Sequence, residues 1–188
     1  MSLDEIRVDI DRIDKEIRQL LMDRLDCSKR VVESKVADGN YTIYRADREK
    51  AILEKLGAGI PEDRKAGYLA VVRKITETSR MYQYGKLYEM VDGIFDELVA
   101  GIEIPAKATS VTLELTRPNI PNAMSSILSM IGDYGYNMQR MELLHYADDN
   151  SAVTFELTIL GDLNEEHMKK LMLQLSKESS DFRIIRIV

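Results

Sequence analysis

The sequence predicts a multidomain chain of class α + (α+β): an all-helical first half, then a second half of order β-α-β-β-α-β. Two observations predict it. Up to about Tyr84 apolar residues recur every three or four positions, and after Thr109 they recur every second position. The stretch around Pro105, Ala106 and Lys107 reads as the joint between the two patterns.

Composition narrows the function classes. The 188 residues suffice for two small domains, and 45% apolar with 31% charged residues is an ordinary globular balance. No apolar run approaches the ~18 residues of a membrane span. The start, MSLDEIRVDI, is charged and has no signal-peptide core. No membrane partner and a cytoplasmic location are therefore expected. Cys27 is the only cysteine, so no internal disulfide is expected. Neither it nor His145 nor His167 stands in a metal-ligand spacing, so no metal and no cofactor is expected. Residues 1–88 hold 18 Lys and Arg against 16 Asp and Glu (+2), and residues 89–188 hold 8 against 16 (−8). The acidic total argues against nucleic acid as a partner. Only the first half is hospitable to an anionic ligand.

The first helix is read over 4–38, where no proline or glycine occurs. Leu3, Ile6, Ile10, Ile13, Ile17, Leu20, Cys27 and Val31 form its apolar seam. At ~52 Å such a helix cannot bury that seam alone and calls for helices of a second chain. Gly39 suits a left-handed stop. A second helix follows over about Arg45–Leu56, punctuated by Gly57, Gly59 and Pro61. A third runs from about Glu62 through Tyr84, with Leu69, Val72, Ile75 and Thr76 on one face, and 86–104 extends or connects it.

In the second half SVTLELT is a strand. Residues 120–134 form a helix with Pro121 in its first turn. YNMQRMELLHY and AVTFELTIL are strands joined by the turn Asp148-Asp149-Asn150. LNEEHMKKLMLQLSKES is a helix and DFRIIRIV a last strand. The order is the ferredoxin-like plan, two helices on one face of a four-stranded antiparallel sheet.

Function is sought where polar residues break the helical seams. The first seam calls for an apolar residue at 24 and receives Arg24. Lys35 faces nearly the same way, ~16 Å along the axis. Either Arg24 snorkels and Lys35 is solvated, or the two close on one small anion. The face of the third helix leads on to Ser79 and Gln83. These either satisfy each other or a backbone group, or line a pocket with neutral donors. The stretch YRADREKAIL places Arg45, Asp47, Arg48 and Glu49 at the start of the second helix, where backbone N–H groups also favour anions. Together Arg24, Lys35, Arg48, Glu49, Ser79 and Gln83 suit a compact, multiply carboxylated molecule. No histidine base can be argued for Ser79, and no glycine-rich phosphate loop is present. Arg7 lies ~25 Å from Arg24 on another face of the same helix, so it reaches such a ligand only from a partner chain.

These residues, in this order, resemble the all-helical class of chorismate mutases over about residues 3–88. The segments LDEIRVDIDRIDKEI, LLMDRLDCSKRVVESK, RADREKAILEKL and ITETSRMYQ carry the resemblance. So does the spacing R-x-x-I-D-x-x-D-x-x-I-x-x-L-L-x-x-R over 7–24, followed by Lys35 and D-R-E at 47–49. The resemblance implies an intertwined homodimer that converts chorismate to prephenate in Phe and Tyr biosynthesis. Lys35, Gln83, Arg24 and Glu49 would be catalytic. Arg24, Lys35 and Arg48 would bind carboxylates and the ether oxygen, Glu49 the ring hydroxyl, and Ser79 a carboxylate. Gln83 would donate to the ether oxygen beside Lys35, and Arg7 would arrive from the partner. Many relatives carry an acidic residue where Arg45 stands here.

The second half, about 109–188, resembles an ACT domain, a small module that often binds amino acids. Asn119-Ile120-Pro121-Asn122-Ala123 resembles its first strand-to-helix turn, and GDYGYNM at 132–138 the lead into its second strand. The resemblance implies phenylalanine or tyrosine as effector at Asn119, Pro121, Asn122, Ala123, Asn137 and Met138, or else a dimerisation module that builds higher oligomers. Expected bounds are 1–88 for the mutase domain, 89–108 for the connector and 109–188 for the ACT-like domain. Three rival functions stand beside this one: an isochorismate-pyruvate lyase, a non-catalytic amino-acid sensor and a coiled-coil interaction protein.

Overall fold

The structure, a computed structural model, describes residues 2–188. The chain divides into two compact units, Met1–Leu87 and Tyr88–Val188.

The first unit is helical. Helix α1 spans Leu3–Ala37. Ser2 opens it with a capping box: the Ser2 hydroxyl accepts from the Glu5 N–H, and the Glu5 carboxylate accepts from the Ser2 N–H at 2.6 Å. Gly39, at φ 65°, closes it. The Asn40 N–H donates to the Lys35 carbonyl at 2.8 Å and the Gly39 N–H to Val36 at 3.0 Å, a Schellman stop that fixes the backbone at Lys35. Every residue from Ser2 to Leu20 is exposed. The predicted seam therefore lies open along this stretch, with Leu3 61%, Ile10 50% and Leu20 67% exposed.

Helix α2 covers Ala46–Gly57 and α3 covers Glu62–Met90. Arg45 is the N-cap of α2 rather than a helical residue. Helix α3 runs six residues past the predicted Tyr84, because no proline or glycine breaker stands before Gly93 except the tolerated Gly85. At Gly57 the backbone approaches α3 closely; a Cβ there would sit 3.2 Å from Leu69 Cδ2.

In the second unit a short 3₁₀ turn, Asp96–Val99, occupies part of the predicted connector. The strands and helices follow in the expected order: β1 Ser110–Pro118, α4 Ala123–Asp133, β2 Asn137–Tyr146, β3 Ala152–Leu160, α5 Glu166–Glu178 and β4 Ser180–Ile187. The sheet order is β2-β3-β1-β4, and every neighbouring pair is antiparallel. One face carries Val111, Leu113 and Leu115 of β1 with Phe155, Leu157 and Ile159 of β3. Ile127 and Ile131 of α4 and Met168, Leu171 and Met172 of α5 complete this core. The other face pairs Thr112 with Thr158 at 3.1 Å and Thr116 with Thr154 at 2.9 Å.

One helix start is corrected. Pro121 does not lie in the first turn of α4. The helix begins at Ala123 behind Asn122, which holds a left-handed φ of 69°. The reversal of chain direction at Asn122 uses the residues on which the proline-at-N1 pattern relies. No described helix is long and apolar enough to cross a membrane.

Candidate active site

Three helices of the first unit meet around a cavity of about 260 Å³. Arg24, Cys27, Ser28, Val31 and Lys35 line it from α1; Arg48, Glu49 and Ile52 from α2; Thr76, Ser79, Arg80 and Gln83 from α3; Ile43 and Arg45 from the connection before α2. The volume lies just below the ~300–1,000 Å³ usual for drug-sized ligands, so a compact molecule fits best. Five cationic side chains face one carboxylate.

The α1 side chains are held by the other segments. The Arg24 guanidinium reaches α3, where it donates to the Ser79 hydroxyl and to the Ile75 carbonyl at 3.3 Å. It does not snorkel to solvent. Burial pulls its pKa below the ordinary value, partly offset by Cys27, yet an arginine stays charged. The Lys35 ammonium donates to the Thr42 carbonyl. Burial, and then the charges of Arg48 and Arg45, hold it below the usual lysine value.

On α3 the Gln83 amide donates to the Ser79 carbonyl at 3.1 Å, so the backbone-satisfaction reading holds for one of its N–H groups. The second N–H stays available to the cavity that Gln83 lines. The Arg48 side chain has no ion pair or hydrogen bond among the described residues. Arg45 pairs with Asp47 at 2.5 Å and is largely exposed at the cavity rim.

Six of the seven predicted substrate contacts, Arg24, Lys35, Arg48, Glu49, Ser79 and Gln83, thus line one cavity. Arg7 does not. It is exposed on α1 and bonded to Asp4 at 3.2 Å. Sequence reasoning missed Arg80. This residue is only 8% exposed, and its guanidinium pairs with Glu49 and lies 5.0 Å from the centroid of the Tyr44 ring. The signal was there: position 80 lies four residues beyond Thr76, so a charge interrupts the buried stripe of α3 just as Arg24 interrupts the seam of α1.

The proposed effector residues of the second unit are not brought together. Asn119, Pro121, Asn122 and Ala123 follow the Pro118 end of β1. There the Asn119 N–H donates to Ser151 O at 2.8 Å and its side chain to Asn150 O at 3.0 Å. Asn137 and Met138 start β2, where Asn137 aligns with Leu160, itself opposite Ser110. The two groups stand at opposite ends of the sheet, about 26 Å apart along β1. A single effector cannot touch both within one chain.

Comparison with known proteins addresses the helical unit. The family model of chorismate mutase type II matches residues 6–84. No curated protein matches the chain significantly. The solved structure of GqqA, described as a novel type of quorum quenching acylases, is 23% identical with a TM-score of 0.42. That match covers 46% of this chain and 45% of GqqA, so the chain spans less than half of its length. The match at residues 6–84 takes in every α1, α2 and α3 residue that lines the cavity, so it is the helical unit of this chain that is similar to chorismate mutase type II.

Proposed function

We propose that the protein rearranges chorismate to prephenate in this cavity. The observation that carries the reading is the convergence of Arg24, Lys35, Arg48, Glu49, Ser79 and Gln83 on about 260 Å³ of space, with cations and a neutral amide but no histidine beside Ser79. The rearrangement is unimolecular and needs no nucleophile. It needs the flexible side chain of the substrate held over the ring, and negative charge on the ether oxygen stabilised as its C–O bond stretches.

The roles follow from the donors. Arg24, oriented by Ser79, and Arg48 bind carboxylates. Lys35 and the second N–H of Gln83 donate to the ether oxygen. Glu49 accepts the ring hydroxyl. Arg7 comes from a second copy of the chain, whose α1 covers the open Leu3–Leu20 seam; the exposure of that seam supports an obligate dimer. The second unit acts as an ACT-like module, with phenylalanine or tyrosine as effector between two copies. The βαββαβ order and the left-handed Asn122 support this.

The test is the loss of chorismate absorbance on adding purified protein, with and without Phe or Tyr. Turnover to prephenate is expected. No turnover at any protein concentration overturns the reading, and release of pyruvate from isochorismate instead would replace it with the lyase.

A further inference from the structure

We infer that Arg80 is a positioning residue of this cavity: it holds the Glu49 carboxylate turned inward as the acceptor for the substrate hydroxyl, with Tyr44 holding Arg80 in turn. The inference rests on the mutase reading.

Glu49 has a nearer choice of partner in sequence. Arg45, the N-cap of its helix, stands four residues before it. Such a pair would draw the carboxylate toward the rim, where Arg45 is exposed. Instead Arg45 is taken by Asp47, and Glu49 Oε1 is taken by Arg80 from α3. Among the described residues Glu49 Oε2 has no partner, so one oxygen stays free to accept a hydroxyl. The pair is sheltered, with 10% of the Arg80 side chain and 25% of the Glu49 side chain exposed. An arginine is required here rather than a lysine. Its planar guanidinium can stack over the Tyr44 ring at 5.0 Å while its N–H edge meets the carboxylate.

The remaining charges around Glu49 cannot do this work. Arg24 is committed to Ser79 and Ile75, and Lys35 to Thr42. Arg48, the neighbouring residue on α2, lines the same cavity but makes no ion pair with Glu49. The Cys27 thiol of α1 lines the same cavity but is no cation. Removing Arg80 therefore leaves Glu49 free to swing toward Arg45.

The experiment compares wild type with Arg80→Met, Arg80→Lys, Glu49→Gln and the double variant Arg80→Met/Glu49→Gln, each checked for folding by circular dichroism. Two readouts are taken. In the first, crystal structures of the free wild type, Arg80→Met and Arg80→Lys locate the Glu49 carboxylate. In Arg80→Met it should turn from the cavity toward the rim, and in Arg80→Lys it should be held less firmly, since an ammonium lacks the planar fork. A carboxylate still turned inward in both variants overturns the inference whether or not the protein turns over chorismate.

In the second, Arg80→Met should lower kcat/KM by about 10- to 100-fold. Added to Glu49→Gln it should cost little more, because the two residues act as a unit. Additive losses would show that Arg80 acts without Glu49. Inactivity of the wild type would instead count against the mutase reading alone.

Discussion

The Arg24 guanidinium on α1 donates to the Ser79 hydroxyl on α3, across 55 residues of chain. The seam of α1 and the face of α3 are thereby locked at the cavity by a polar contact where each pattern calls for an apolar one. A cation placed so is oriented before any ligand arrives, which is the condition for it to lower a barrier rather than only to bind.

Arg24→Ala should lower kcat/KM for chorismate by about 10²–10³, the cost of deleting one preorganised donor at a developing charge. Arg24→Lys should recover little, because an ammonium lacks the planar fork that serves Ser79, Ile75 and a carboxylate together. Steady-state kinetics decide it. A variant that gains stability and keeps full activity would favour the interaction-protein reading.

Gln83 supplies a neutral donor, so Gln83→Glu tests the ether-oxygen role. At pH 7 the new carboxylate has no proton to give, and activity should fall by about 10²–10³. As pH drops through the ordinary glutamate range, near 4.3, the protonated form should restore part of it. A flat pH profile would remove Gln83 from the chemistry.

Lys35 sets an alkaline limit. Burial and the neighbouring Arg48 and Arg45 lower its pKa, so its charge is lost before the ~10.4 of a free lysine. Activity should decline on that early limb, and Lys35→Arg should push the decline to higher pH. The stability effect has a definite sign. The unfolded chain binds the proton more tightly, so this charge destabilises the fold fully below the lowered value. That effect fades as pH rises toward the unfolded value. Chemical denaturation of wild type and Lys35→Met, followed up through the alkaline range, should converge at its upper end.

Arg7 should act only in trans. Arg7→Ala and Arg24→Ala are each expected to be nearly inactive. Mixed, unfolded and refolded together, they should regain activity, because one site of each mixed dimer receives both arginines. Failure of mixing to restore any activity, with dimers seen by sedimentation, would argue against shared sites. Ile10→Asp or Ile13→Asp on the open seam should shift the protein toward monomer.

Asn122 carries the turn before α4 at φ 69°. Asn122→Gly should be neutral or stabilising, and Asn122→Val should cost about 1–2 kcal/mol, since a β-branched residue resists the left-handed region. Thermal melts of the two variants read this directly.

How much of this was legible in the residues depends on range. The helices of the first unit and the strands of the second could be read because periods of 3.6 and 2 are local signals. Arg24, Lys35, Ser79 and Gln83 could be read because each interrupts or extends a helical face. Arg48 and Glu49 stood out at a helix start. The start of α4 was misread by three residues, because a left-handed Asn122 and a helical Pro121 make nearly the same string.

What the sequence by itself determined, then, is which faces of which helices are apolar and where charge breaks them; those follow from bonds between residues three or four apart. Only the tertiary structure decided that Glu49 turns to Arg80 instead of Arg45, and that Asn122 and Asn137 lie at opposite ends of one sheet. Both depend on segments distant in the chain, on α3 packing against α2 and on the register of β2 through β3 to β1, and no local pattern encodes the alignment between such segments.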